Sequence, residues 1–549
     1  MRFIWIICSL IWLPVTQAFA EQLTVDAFSR DRVLFDVGAA FGRNSADIPV
    51  TGTGQSGNAV EARWVNDRTD VAGVWTAMGQ VDSGGRWSGS LALDARADWF
   101  RLEARSPAGQ VAATTRFGTG DVAAIFGQSE FERLWASYFS DREAMPFPPL
   151  TSDQVQFTLQ GARGGLVQTF AGADATHAMN AMAAFWIANA PQGRKLHVVD
   201  LTQSGTSRSQ LQNDGDDRRN WGDLENTVAA LSVDGVNIGL ILESWFAGDR
   251  GTGTQWAERF MPLYTGVNLQ GRDFQRGAPD SKGVPVDHFL WDVSGGQEGL
   301  FVVGQTALGI FGPHRFDSNV PLIGATVKLD GKVEFGMRGI ERARAGVAAF
   351  QAAPQLKGIL VDVALPQPLD YANGFVDATT GAFSDSTHPS YATPDGQQRL
   401  AKHTANAALV GFGHLRYAIP AFDRIQWRGE ALELSSSAGP ITTARRARGL
   451  PPLGTAQPHW TDVLGFEING RAAQRAEVTP DGKVLIYPNP GKAITSGDVV
   501  SFGMGGGGGF MRPAQDWAAA AYLNYPVVDF GLDGLEGVAL SAGMSVTVK

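Results

Sequence analysis

The sequence predicts an α/β domain built on a parallel sheet, with a β domain before it and another after it. Three observations predict this. From Asp121 onward, apolar runs of five to seven residues alternate with helical stretches, the pattern of strands buried on both faces and joined by crossover helices. Between Glu21 and about Gly118, short period-two segments are split by Gly, Asp and Ser. Beyond about Ala418 short β segments return, each flanked by Gly, Pro, Asp or Ser. At 549 residues the chain exceeds what one hydrophobic core supports, so several domains are expected.

Taken in order, Met1-Arg2, an apolar run from Phe3 to Val15 and then Ala18-Phe19-Ala20 form the charged start, apolar stretch and A-x-A site of a secretory signal peptide. Residues 1–20 are therefore expected to be removed after Ala20, leaving a secreted or periplasmic protein. The run is shorter than the roughly 20 apolar residues a bilayer span needs, so no membrane anchor is expected after cleavage. Residues 21–118 are expected to form a small β-sandwich, because stretches such as 59–65 and 87–93 alternate apolar with polar. In 119–417, strands are expected at 122–126, 196–200, 236–242, 300–303 and 358–363. Helices are expected at 178–190 and from Pro394 through Leu400 to Val410. Residues 418–549 are expected to form the second β domain, with strands at 431–434, 463–468, 484–487 and 499–502. The glycine run 505–509 reads as a loop; no Lys follows it and no helix opens there, as a phosphate cradle would require. No period of 20–50 residues repeats, which disfavours a solenoid or propeller.

Composition narrows the function. Apolar residues make up 44% and charged residues 18% of the chain, as in a folded globular protein. The net charge is −10 and no Lys/Arg-rich run could neutralise phosphates, so nucleic acid is not an expected partner. The only cysteine, Cys8, falls in the signal segment, which excludes disulfides, Cys–metal sites and a cysteine nucleophile from the mature chain. Asp287-His288, Asp292 and His314-Arg315-Phe316-Asp317 offer imidazole and carboxylate without a metal-ligand spacing, so no metal or other cofactor is expected. The remaining histidines carry no assignment. Phe131, Trp135, Tyr138 and Phe139 follow helical spacing and read as core.

Two stretches carry chemistry. Ile125-Phe126-Gly127-Gln128-Ser129-Glu130-Phe131-Glu132 puts a serine on the turn between an apolar strand and a helix, where its hydroxyl is exposed and its own N–H can face an oxyanion. The competing reading makes Ser129 a helix cap, with Glu132 completing a capping box. Ser384-Asp385-Ser386-Thr387-His388-Pro389-Ser390 offers the base that a serine nucleophile needs and the carboxylate that fixes that base's tautomer. The competing reading is a surface turn rich in Ser, Thr, Asp and Pro.

Together the stretches resemble the SGNH-hydrolase family, and within it the sialate O-acetylesterase and carbohydrate-esterase branch. Members of that branch carry Gly-Gln-Ser after the first strand and an Asp-x-x-His pair near the end of the domain, here Gly127-Gln128-Ser129 and Asp385-Ser386-Thr387-His388. A third block, from Val198 to Ser207, is similar to the segment whose glycine lends an N–H to the oxyanion hole, and Gly205 is the candidate. A fourth block departs. The branch has Gln-Gly-Glu-Ser followed by Asn or Asp, whereas this chain reads Glu243-Ser244-Trp245-Phe246-Ala247-Gly248-Asp249, without an evident third oxyanion donor. The resemblance implies a flavodoxin-like catalytic domain, a parallel sheet with helices on both faces, between β-sandwich-like flanks. It also implies an esterase acting on O-acetyl groups of a carbohydrate or glycan without a cofactor. Ser129 would attack, His388 would act as base, Asp385 would orient it, and the N–H groups of Ser129 and Gly205 would receive the oxyanion. Two rivals stand beside it: an exopolysaccharide O-acetyltransferase using the same site, and a carbohydrate-binding protein with a decayed one.

Overall fold

The computed structural model describes residues 22–39, 42–127, 153–161, 165–170, 178–202, 230–231, 233–244, 300–304, 327–329, 332–334, 360–363, 394–415, 420, 422–443, 466–469, 471–502, 526–530, 538–539 and 544–549. These form two compact units. One comprises the described residues up to Asp31 with Ile48–Leu91 and Trp99–Arg116. The other comprises Arg32–Asp47, Ala92–Asp98 and the described residues from Phe117 on.

The first unit is antiparallel. Strand Ala59–Asn66 pairs with Thr76–Gln80 and with Arg96–Ser106, while Arg86–Asp94 pairs with Ser45–Thr53. Period-two alternation sets the faces: Trp87 and Leu91 are buried, whereas Arg86, Ser88 and Ser90 are exposed. On the polar face, cross-strand register sets Arg63 opposite Glu103 and Glu61 opposite Arg105. Both pairs close at 2.7 Å, and both guanidinium groups lie over the Trp75 ring, 4.3 and 4.4 Å from its centre.

The second unit holds the sheet that frames the candidate site. Its strands are β1 (Val33–Asp36), β2 (Gly109–Gly127, whose first part belongs to the other unit), β3 (Val155–Gly161), β4 (Gly165–Phe170), β5 (Leu196–Thr202), β6 (Leu240–Ser244), β7 (Leu300–Gly304) and β8 (Leu360–Val363). They lie in the order β8-β7-β6-β2-β5-β3-β4. Every neighbour is parallel except the β3–β4 hairpin, so the sheet is mixed. β1 also pairs parallel with β2, at Phe117–Gly120. The apolar run predicted at 122–126 is thus the last part of a 19-residue strand, with Val122, Ala123, Ala124 and Ile125 wholly buried.

One expected strand is displaced, for a local reason. Residues 236–239 precede β6 instead of opening it, because the adjoining edge of β2 is already taken by β1 as far as Gly120. In the gap, the Asp36 carboxylate accepts the Val122 N–H (3.0 Å), and Gly239 N–H donates to the Val122 carbonyl (2.8 Å). A side-chain carboxylate therefore stands in for the missing backbone acceptor where β1 ends and β6 begins.

Helices α1 (Ala178–Asn189) and α2 (Pro394–Gly411) pack against each other, and α2 runs along β6, β7 and β8. α1 is apolar apart from Asn180 and Asn189, as suits a helix sunk in a core, with Met179, Met182, Phe185 and Trp186 fully buried. α2 opens on a proline, which suits the first helical turn. It closes in a Schellman motif: Gly413 at φ +70° donates to Val410 O (2.9 Å) and His414 N–H to Leu409 O (2.9 Å).

The described residues beyond Phe422 form short antiparallel sheets, among them Arg424–Arg428, Ala431–Ser435, Val484–Tyr487 and Arg475–Val478. They pack around Phe422, Phe466 and Phe502, whose ring centres lie 5.0–6.1 Å apart.

Close packing within the buried part of β2 gives a first prediction. A Cβ at Gly120 would overlap the Lys195 carbonyl, a backbone group that cannot turn aside. Gly120→Ala is expected to destabilise this unit by about 2–3 kcal/mol, the usual cost of overpacking, read from the shift in denaturation midpoint.

Candidate functional site

Ser129, Gly205, Asp385 and His388 lie outside the described residues, as do the signal segment, the helical stretch from Phe131 to Phe139 and the glycine run 505–509. What the structure gives is the frame from which these stretches depart. β2 ends at Gly127, two residues before Ser129, and β5 ends at Thr202, three before Gly205. Thr202 and Gly127 are register partners. On the other side of β2, Ser244 is the partner of Gly127 and Glu243 that of Phe126. The divergent fourth block therefore begins inside a strand, at the same level as the Gly-Gln-Ser block. Glu243 also pairs with Val303 of β7, and Gly304 with Val363 at the end of β8. All these strand ends are carboxyl ends, on one edge of one sheet.

The charged cluster that the structure does describe lies at the opposite, amino edge. Asp121, fully buried, accepts hydrogen bonds from His414 Nε2–H (2.7 Å) and Trp186 Nε1–H (3.4 Å) on Oδ2, and from Arg194 (3.5 Å) on Oδ1. Arg194 also donates to Asn44 Oδ1 (2.5 Å). Phe412 joins the cluster, 5.4 Å from the Trp186 ring and stacked at 5.8 Å on His414. Beside it, Asp36 accepts N–H groups from Val122 and Gly38. Burial, with a smaller push from the neighbouring Asp121 charge, raises its carboxyl to about 7 against the two N–H groups and Arg194, which lower it.

None of Asp36, Asp121, Arg194 and His414 is conspicuous in the sequence. A single carboxylate opening an apolar run carries no periodic signal, and a histidine two residues past a helix reveals nothing of what it meets. The one available signal was Gly413, which reads as a C-terminal cap. Among the described residues no three His, Cys, Asp or Glu side chains gather as a metal site, and no helix is long and apolar enough to cross a membrane.

No protein-family profile matches the chain, and no curated protein matches it. Among solved structures it is similar to a carbohydrate acetylesterase from Xanthomonas citri, at 14% identity and a TM-score of 0.48, over 96% of this chain and 100% of that one. It is also similar to a protein from Arabidopsis thaliana (11%, TM-score 0.25, over 53% and 98%). A third similar structure is a β-glucuronidase from Bifidobacterium dentium (11%, TM-score 0.26, over 71% and 66%). All three TM-scores fall below 0.5.

Proposed function

We propose that the chain is an exported serine esterase of the SGNH type that removes O-acetyl groups from a carbohydrate. In this reading Ser129 is the nucleophile, His388 the general base and Asp385 its orienting carboxylate, with the N–H groups of Ser129 and Gly205 receiving the oxyanion. The observation that carries it is the register at the carboxyl edge of the sheet. With β1 and the β3–β4 hairpin set aside, five parallel strands run β5-β2-β6-β7-β8, an order that supports the flavodoxin-like reading, 2-1-3-4-5 in chain order. In such sheets ligands bind outside the carboxyl ends, where the strand order reverses, here between β2 and β6. The Gly-Gln-Ser block and the fourth block leave from those two strand ends, and the Gly205 block leaves from β5 next to them.

In the reaction, Ser129 Oγ attacks the acetyl carbonyl as His388 takes its proton, and the alcohol leaves with that proton. Water then attacks the acetyl-enzyme, releasing acetate and restoring the serine. Phenylmethylsulfonyl fluoride tests the assignment without the natural substrate. It is expected to sulfonylate Ser129 alone, seen as a mass shift on the peptide containing that residue, and to leave His388→Ala unmodified. Modification at another serine, or equal labelling of the His388 variant, would refute the triad. Acetate release with and without a sugar acceptor separates hydrolysis from acetyl transfer, since hydrolysis needs only water.

A further inference from the structure

We infer that the buried pair Asp121–His414, at the edge of the sheet remote from the proposed active site, is a positioning device that sets the distance between nucleophile and base. The inference rests on the reading of Ser129 and His388 given above.

One carboxylate ties three elements together. Asp121 opens the stretch of β2 that pairs with β5, on the strand that leads to Ser129. His414, held by the Schellman turn, closes α2, the helix whose first residue comes six positions after His388. Trp186 of α1 donates to the same carboxylate and packs on Phe412, between α2 and His414. The pair is buried: the side chains of Asp121 and His414 are 0% and 4% exposed. Buried charged groups seldom beat apolar packing in stability, and what such a cluster can contribute is one defined arrangement of the elements it joins.

The lengths make the arrangement matter. From Asp121 to Gly127, β2 rises about 20 Å at roughly 3.3 Å per residue. α2, with 18 residues, spans about 27 Å at roughly 1.5 Å per residue. α2 packs along β6, β7 and β8 and has its C-terminal turn at the amino edge, so its first turn reaches the carboxyl edge. A tilt of about 5° pivoting on the His414 end moves that first turn by about 2 Å over this length. Misplacement of a reacting group by about 1 Å can cost a hundredfold in rate.

The test compares His414→Ala, His414→Asn and His414→Gln with wild type and Ser129→Ala, using p-nitrophenyl acetate and amide hydrogen exchange. Gln sets an N–H close to the position of the imidazole Nε2, whereas Asn falls short of Asp121 and keeps a polar side chain should the alanine variant fail to fold. Expected for Ala and Asn are a kcat lower by about ten- to a hundredfold, KM within about twofold of wild type, and faster exchange across 394–411. Gln is expected to recover most of both. A merely structural role predicts a lower melting temperature with kcat intact while folded, or equal loss in Gln and Asn; either result overturns the positioning role. If Ser129→Ala stays fully active, the active-site reading itself falls and takes the positioning role with it. Inactive Ser129→Ala beside an unimpaired His414→Asn overturns the inference alone.

Discussion

Ser129→Ala is expected to lower kcat/KM for acetyl-ester hydrolysis by about four to six orders of magnitude, and adding His388→Ala is expected to cost almost nothing more. The two residues perform one proton transfer. Without the hydroxyl there is nothing for the imidazole to deprotonate, and without the imidazole the hydroxyl is a weak nucleophile near neutral pH. Their losses therefore do not add. Asp385→Ala is expected to lose about a hundredfold less, because the imidazole can still act in an unaided orientation. Activity left in the double variant would come from N–H donors facing the developing oxyanion. Steady-state kinetics on variants matched in melting temperature decide the matter. Additive losses, or a Ser129→Ala enzyme within tenfold of wild type, would remove the serine mechanism.

The parts of the fold that were legible are those whose signal is local. Val484–Tyr487 and Val499–Phe502 lie where the apolar runs predicted strands, and α1 ends one residue short of the expected helix. β1 was not legible, because four residues inside an alternating β region say nothing of a parallel partner that begins at Phe117. The displaced start of β6 has the same origin: Val236 and Ile238 are wholly buried, as the apolar run implies, but the edge they would pair with is occupied. The candidate site divides along the same line. Its residue types and order were readable in Gly127-Gln128-Ser129 and Asp385-Ser386-Thr387-His388, because catalytic roles demand particular side chains. The alignment of Thr202, Gly127 and Ser244 on one edge arises from pairing between strands far apart in sequence, and so does the Asp121–His414 contact, which spans 293 positions.

Asp36 gives the second large effect, on stability as a function of pH. Its carboxyl titrates near 7 in the folded chain, against 3.8 for an ordinary aspartate, chiefly because it is wholly buried. Below about pH 4 both folded and unfolded forms carry the proton, and the group's contribution to stability is fully present. Between about pH 4 and 7 the unfolded chain has released the proton while the folded one retains it, so stability falls as pH rises; above about 7 both are ionised and the loss levels off. A raised carboxyl pKa thus works opposite to the usual salt-bridged aspartate. The displacement from 3.8 to about 7 corresponds to about 4 kcal/mol in all, more than half of which falls between pH 5 and 8. Asp36→Asn removes the titrating proton. The amide's altered hydrogen bonds to Val122 and Gly38 carry their own cost, but that cost is the same at both pH values and cancels in the difference. Denaturant unfolding at pH 5 and pH 8 is therefore expected to show wild type losing about 2–3 kcal/mol relative to Asp36→Asn as pH rises. A constant difference between the two proteins would place the Asp36 carboxyl in its ordinary range, ionised in the folded chain and held by the N–H groups of Val122 and Gly38 despite its burial.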